Sequence, residues 1–358
     1  MTEPTAAPVV VVIGAGLIGA SIGCALTARG IAVHLRDHKR SHARVAAELG
    51  AGTVDPPVSE QVTLVVAAVP PQALPDVIAD SLLTYPKATV TDAGSVKAGV
   101  LAALWDSGVP LDRYVGSHPM AGSQHSGPLS ARADLFEDRT WVITPHRRSS
   151  AAAVADVEAM VRNCRAKAVV MDVDDHDAAV ARVSHLPHLM SVLVASHLNS
   201  VPREHLVLAG QGLRDVTRVA GGDPELWAQI LRANSAAVLA ELRSVQDQLD
   251  EVIKAVENPA TTDLQTQLAR GVAGTHRIPG KHGTHPVDYT QVVVEIPDAP
   301  GALGRLFALV GEAGVNVEDI SIEHDQARQV GYLALSVNPD QASNLTAAMV
   351  GHGWLVQS

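Results

Sequence analysis

The stretch PVVVVIGAGLIGAS, from Pro8 to Ser21, decides the fold of this 358-residue chain. Val9 to Val12 and Ile13 form a run apolar on both faces, as a strand buried within a parallel sheet requires. Gly14, Ala15, Gly16, Leu17, Ile18 and Gly19 then turn the chain into a helix. The first glycine permits the tight turn, the second lets the backbone approach a pyrophosphate, and the third lets helix pack on strand. The helix N-terminus adds an anion-favouring dipole. Asp37 stands 21 residues beyond Gly16, at the end of the next apolar segment. There a carboxylate accepts both ribose hydroxyls and repels a further phosphate, so NAD is expected over NADP. Arg36, Lys39 and Arg40 crowd the same place and could receive a 2′-phosphate.

Working outward, composition narrows the class. A net charge of −11 argues against nucleic acid or an anionic membrane as partner. Cys24 and Cys164 are the two cysteines, both in apolar helical patterns, so no disulfide framework is expected and a cytoplasmic location fits. The start MTEPTAAP has no basic segment or cleavage-like site. Pro8 to Ala28 is uncharged and long enough to span a bilayer, but its strand-like valines and periodic glycines predict a buried strand and helix instead.

Apolar runs alternate with helical patterns as far as about residue 172, with strands predicted near 8–13, 32–36, 62–69, 88–91, 113–117, 140–144 and 168–172. This is a doubly wound α/β sheet of the Rossmann kind. Helical patterns follow to about Leu268, with Ala- and Leu-rich stretches at 188–198, 224–244 and 246–256. Segments 224–244 and 246–256 present more alanine and leucine than one helical layer can cover, which predicts a homodimer. Residues 270–287, rich in glycine and histidine, read as a linker. Tyr289 to Ser358 then gives the order βαββαβ, a ferredoxin-like unit. The expected division is 1–173, 174–270, linker 271–287, and 288–358.

A doubly wound sheet binds its ligands outside the carboxyl ends of its strands. Two motifs fall there: DAGSVK, carrying Ser95, and SHPMAG, carrying His118. Ser95 reads equally well as a helix N-cap. His118, between Gly116, Pro119 and Gly122, reads as held in a constrained turn. In SHLPH, Pro187 suits a first helical turn, which puts His185 and His188 at an electropositive end where imidazolium is disfavoured. In GLRDVTR, Arg214 and Arg218 share a helix face; they receive an anion between them, or form a solvated face with Asp215 as partner. Asp172, Asp174, Asp175, His176 and Asp177 match no metal-loop spacing, so helix capping by Asp174 or Asp175 is the better account and no metal is expected. Neither an elbow motif nor an activated cysteine supports nucleophilic catalysis.

GAGLIGAS, DAGSVK, GSHPMAGS with Gly127, SHLPH, GLRDVTRVA with Asp223 and Trp227, and IPGKHG together resemble the prephenate dehydrogenase family of tyrosine biosynthesis. The resemblance covers residues 8 to 285. The terminal βαββαβ unit, with DAPGALGRL and GVNVEDI, is similar to an ACT domain, a fold often used to bind amino acids as feedback effectors. The resemblance implies NAD-dependent oxidation of prephenate with loss of carbon dioxide. Gly14, Gly16, Leu17, Ile18, Gly19 and Asp37 would hold the dinucleotide. His118 would receive the hydroxyl proton as a neutral imidazole, Ser95 would orient it, Arg214 would clamp a substrate carboxylate, and His188 with His185 would line the ring. L-tyrosine would bind near Asp298, Gly301, Ala302, Leu303 and Asn316. On this reading kcat/KM falls as pH drops through about 6–7. Arogenate as substrate is the nearest alternative; a 3-hydroxyacid dehydrogenase and a non-catalytic sensor of NAD and amino acids are more distant ones.

Overall fold

The computed structural model describes residues 8–122, 127–258, 263–278, 289–325 and 330–357. Internal contacts divide the chain into two compact units, Met1–Gln248 and Leu249–Ser358.

The first unit opens with β1 (Val9–Ile13), α1 (Leu17–Thr27), β2 (Ala32–Arg36), α2 (Arg40–Glu48), β3 (Leu64–Ala67), α3 (Leu74–Thr84) and β4 (Thr89–Asp92). It continues with α4 (Ala98–Ser107), β5 (Tyr114–Pro119), β6 (Thr140–Thr144), α5 (Ala151–Asn163) and β7 (Lys167–Val170). These strands form one sheet in the order β2-β1-β3-β4-β5-β6-β7. Each predicted strand has its counterpart. The first five run parallel, β6 is antiparallel to β5, and β7 is parallel to β6. All residues of β3 and β4 are buried, which is why β3 is a continuous apolar run, while the polar residues of β4 are hydrogen-bonded inside the unit. The winding reverses between β1 and β3, so the loops after them diverge and leave a crevice at the carboxyl edge. The uncharged run from Pro8 is split by its glycine turn into a 5-residue strand and an 11-residue helix.

Helices complete the unit: α6 (Val173–Val180), a π-helical turn (Ala181–His185), α7 (Leu186–His197), α8 (Gln211–Arg218), α9 (Pro224–Ala233) and the first part of α10 (Ser235–Glu257), whose last residues, from Leu249, belong to the second unit. The run Val173–Ser200, 28 residues, is long and apolar enough to cross a bilayer by length and composition alone. It begins, however, with three aspartates in its first turns, and Asp177 is hydrogen-bonded to α4 of the same unit.

Two helical expectations are corrected. The stretch 224–244 is two helices, broken at Asn234, whose backbone leaves the helical region (φ −112, ψ 31). Its side chain is spent instead on a buried bond to the Asp177 carbonyl. The cap of α6 is Asp172, which accepts from Asp174 N, rather than Asp174 or Asp175.

The second unit holds α11 (Asp263–Thr275), β8 (Thr290–Pro297), α12 (Ala302–Glu312), β9 (Val317–Asp325), β10 (Val330–Val337), α13 (Pro339–Gly351) and β11 (Leu355–Gln357). Its four strands pair antiparallel in the order β11-β8-β10-β9, the predicted βαββαβ unit. Alternating residues such as Val292, Val294, Leu333 and Leu335 face Leu306, Leu345 and Met349 in its core. Residues 270–275, read as the start of a linker, are helical, because α11 carries Gly271 and Gly274 within it. A glycine costs a helix about 1 kcal/mol and does not by itself end it. His282, His285 and Lys281 lie outside the described residues.

Candidate active site

A cavity of about 1860 Å³ opens along the carboxyl edge of the first unit's sheet. The ends of β1, β2, β3, β4 and β5 contribute Gly14, Asp37, Val69, Ser95 and His118, and the π-turn contributes His185. Gly14 needs its positive φ of +97, and a Cβ there would meet the Ala68 carbonyl oxygen at 2.2 Å. Gly19 lies against the Gly14 carbonyl. Leu17 and Ile18 start α1 at the cavity wall, with no side chain capping the helix N-terminus. Asp37 closes the turn from the far side: Oδ2 accepts from Ala15 N at 2.7 Å and Oδ1 from Lys39 N at 2.7 Å. Arg36, His38 and Arg40 line the same end.

His118 lies on strand β5, paired with Val142, rather than in a turn; the strand runs on through Pro119. Its Nδ1 stands 2.9 Å from His176 Nε2, and His176 Nδ1 stands 2.8 Å from Asp177 Oδ1. The two rings meet edge-on at 76° with centroids 5.1 Å apart. His176 is fully buried, and Asp177 is nearly so. Asp177 also accepts from Lys97 N at 2.9 Å and Ala98 N at 2.8 Å. The start of α4 is therefore capped from α6 and not by Ser95. Burial alone would raise the Asp177 pKa, but the His176 ring N–H and these two backbone N–H groups outweigh it and hold the carboxylate below its ordinary value.

Beneath His118 lies a buried polar layer. Lys97 Nζ is paired with Asp92 and donates to the Ser117 carbonyl at 2.8 Å. Asp92 also accepts from Tyr114 OH at 2.9 Å. Ser117 Oγ donates to Asp92 O and accepts from Trp141 Nε1 at 3.0 Å. Burial, then the neighbouring His176, Lys97 and His185, push the His118 pKa well below its ordinary value. The direction favours a neutral imidazole at pH 6–7, because the ring is desolvated among cationic or potentially cationic groups, and an acid limb due to His118 is then expected at lower pH.

The two histidines of SHLPH occupy different places. His185 lines the cavity, with Nδ1 3.3 Å from Asn234 Nδ2, and its pKa is lowered to about 4, first by burial. His188 is buried outside the cavity lining, stacked on Trp227 with centroids 3.6 Å apart and 6° between the planes. Ser95 lines the cavity, and the hydrogen bond given to His118 runs to His176. Arg214 is exposed on α8 and stands outside the cavity lining, as does Arg218; α8 has no buried residue in the single chain. In the second unit, Asp298, Gly301 and Leu303 are exposed around the start of α12 and Ala302 is buried there, whereas Asn316 is exposed at the opposite end of the sheet, before β9, because β8 and β9 both run antiparallel to β10; one chain does not bring the expected effector residues together. Gly301 has φ +81, and Asn316 Nδ2 donates to Glu318 Oε1 at 2.5 Å.

The sequence reading missed His176, Asp177, Asn234 and Lys97 as parts of one network. Two signals were available: an adjacent His-Asp pair at the start of a long, otherwise apolar helical stretch, and a lysine five residues beyond an aspartate at a strand end.

Residues 22–170 match the family profile of the prephenate dehydrogenase nucleotide-binding domain, 172–270 that of the prephenate dehydrogenase dimerization domain, and 290–348 the ACT domain. A probable prephenate dehydrogenase of Streptomyces niveus is 34% identical over 360 residues, covering 97% of this chain and 99% of that one. The prephenate dehydrogenase of Bacillus subtilis is 27% identical over 342 residues, covering 91% of each. Among solved structures, Synechocystis arogenate dehydrogenase superposes with a TM-score of 0.64 at 27% identity, over 74% of this chain and 98% of that one.

Proposed function

This chain belongs to the prephenate dehydrogenase family, and from that premise we propose that it oxidises prephenate with NAD, releasing carbon dioxide and leaving 4-hydroxyphenylpyruvate. The observation that carries the reading is His118, a neutral imidazole at the end of β5 on the wall of a cavity that also contains a dinucleotide turn.

The residues present fit a dinucleotide. No atom lies within 4 Å of the position a Cβ on Gly16 would take, so backbone at the α1 N-terminus is open to a pyrophosphate. Gly14, Leu17, Ile18 and Gly19 would shape that turn. Each oxygen of Asp37 accepts one backbone N–H and keeps lone-pair capacity for a ribose hydroxyl. When bound, the nicotinamide supplies the hydride acceptor.

His118 accepts the proton of the ring hydroxyl as a carbonyl forms at that carbon, and loss of carbon dioxide sends the carbon–carbon bonding pair into the ring. The proton then returns from the imidazole to the phenolate oxygen, so base and acid are the same group. A group that must accept first has to start neutral, and desolvation of the half-buried His118 ring at the cavity wall favours that form. Ser95 is proposed to hydrogen-bond the same hydroxyl. The Asn234 amide faces His185 Nδ1 and leaves Nε2 as the ring's N–H donor. A neutral donor suits the keto oxygen of prephenate better than the ammonium of arogenate. His188 backs the ring site through Trp227, and Arg214 is proposed to clamp a carboxylate. Since α8 stays unburied in one chain, we propose that a second copy covers it in a homodimer. The proposed labour divides into dinucleotide binding (1–173), substrate and dimer contacts (174–270) and regulation by L-tyrosine (288–358), in a cytoplasmic enzyme.

Mixing the protein with NAD or NADP and either prephenate or arogenate, and following reduced-cofactor absorbance, tests this reading. The expected preference is NAD with prephenate; no turnover with any pair would refute it.

A further inference from the structure

The substrate-facing chemistry assigned above uses one nitrogen of His118, and the structure accounts for the other. Asp177 is an acceptor held at three points by Lys97 N, Ala98 N and the His176 ring, while its backbone carbonyl accepts from Asn234 Nδ2 at 2.7 Å. A carboxylate acceptor fixes the proton of His176 on Nδ1, so its Nε2 carries the lone pair. The only role then open to His118 Nδ1, 2.9 Å away, is donor, which leaves His118 Nε2 as the bare acceptor.

We propose that His176 and Asp177 are positioning residues that fix the reactive tautomer of His118 and share the positive charge it takes on. The inference rests on the reading of His118 as proton acceptor. While the substrate proton sits on His118 Nε2, the Nδ1 proton can shift toward His176 Nε2 and the His176 Nδ1 proton toward Asp177. Charge is conserved along the chain, each bond that lengthens is matched by one that shortens, and the movement reverses when the phenolate takes its proton back. Without the relay an imidazolium would form among His176, His185 and the buried Lys97 with nothing anionic in line, since Asp92 is already committed to Lys97. The arrangement is unlike a structural ion pair at a surface: His176 has no solvent exposure and both its nitrogens are used inside the network.

Two variants of the full chain separate orientation from charge sharing. His176→Leu removes the acceptor, and His176→Gln offers an amide oxygen to His118 Nδ1 but cannot carry a proton onward. His176→Leu is expected to lower kcat about 10- to 100-fold with substrate KM and dinucleotide affinity nearly unchanged. His176→Gln should recover part of that loss, with an acid limb displaced from the wild type. Nitrogen-15 NMR of the free protein gives a readout independent of turnover: His118 is expected as the Nδ1–H tautomer in the wild type and as a mixture in His176→Leu. Wild-type kcat and pH profile in His176→Leu, or an Nε2–H tautomer in the wild type, would overturn the inference. If no substrate is turned over, the functional reading fails while the tautomer measurement still decides this one. If His176→Leu does not fold, His176→Gln and the wild-type spectrum decide it.

Discussion

Two glycines of one turn should fail for different reasons when each is changed to alanine. In Gly19→Ala the new Cβ would stand 1.8 Å from the Gly14 carbonyl oxygen and 3.1 Å from Ala68 Cβ. The obstacle is backbone, so the turn must open by about 1 Å, at the upper end of the 1–3 kcal/mol typical of overpacking. For a unit of this size that corresponds to a Tm lower by roughly 6–12 °C. Gly16→Ala meets no atom within 4 Å and keeps a negative φ of −77, so its Tm should match the wild type. Its methyl instead occupies the space into which a pyrophosphate oxygen would come to bond the helix N-terminus. Losing one hydrogen bond to a charged group costs about 1.5–3 kcal/mol, roughly a 10- to 150-fold rise in dinucleotide Kd. Thermal unfolding by circular dichroism and a calorimetric titration with NAD, both on each variant, separate the two effects. Unchanged NAD affinity in Gly16→Ala would mean that the pyrophosphate does not approach this turn. An unchanged Tm in Gly19→Ala would refute the packing argument.

Further outcomes follow from the buried histidines and the two binding regions. His185 is held neutral in the folded state, with its pKa lowered to about 4, and His118 is lowered as well. The unfolded chain binds protons that these folded groups refuse, so their contribution is full above about pH 6.5 and is lost as pH falls below it; for His185 the loss runs toward pH 4 at about 1.4 kcal/mol per pH unit. Denaturant titrations across that window should show this slope, and stability independent of pH would contradict it. Arg214→Ala is expected to raise prephenate KM by an amount worth about 2–5 kcal/mol; an unchanged KM would move the clamp elsewhere, with Arg218 one turn away the next residue to change. Asp298→Ala in the full chain should raise the L-tyrosine concentration needed for inhibition. Inhibition identical to the wild type would remove that turn as the effector site.

Local signals carried the sheet. A run such as Val9–Ile13 is buried on both faces and has no other stable use, and the turn itself supplies a reason for each glycine, a positive φ at Gly14 and the Gly14 carbonyl against Gly19. What stayed hidden depends on partners far along the chain. His118 meets His176 across 58 positions and Lys97 N meets Asp177 across 80, and no periodicity reports such pairings. Asn234 ends its helix because its amide is needed at Asp177, a tertiary reason invisible to helix propensity. The π-turn at Ala181–His185 was equally out of reach, since nothing in ARVSH distinguishes it from α-helix. Arg214 was singled out by residue type and spacing alone, and the fold of one chain leaves it on an open helix face.

The proton-accepting role of His118 is tested most directly by His118→Asn, comparing reduced-cofactor formation at saturating NAD and prephenate with that of the wild type. Asparagine keeps a polar side chain of similar size but cannot accept and return a proton. Turnover is expected to fall by about 10²- to 10⁴-fold while NAD affinity stays within about twofold. A variant that turns over prephenate at the wild-type rate would contradict the account.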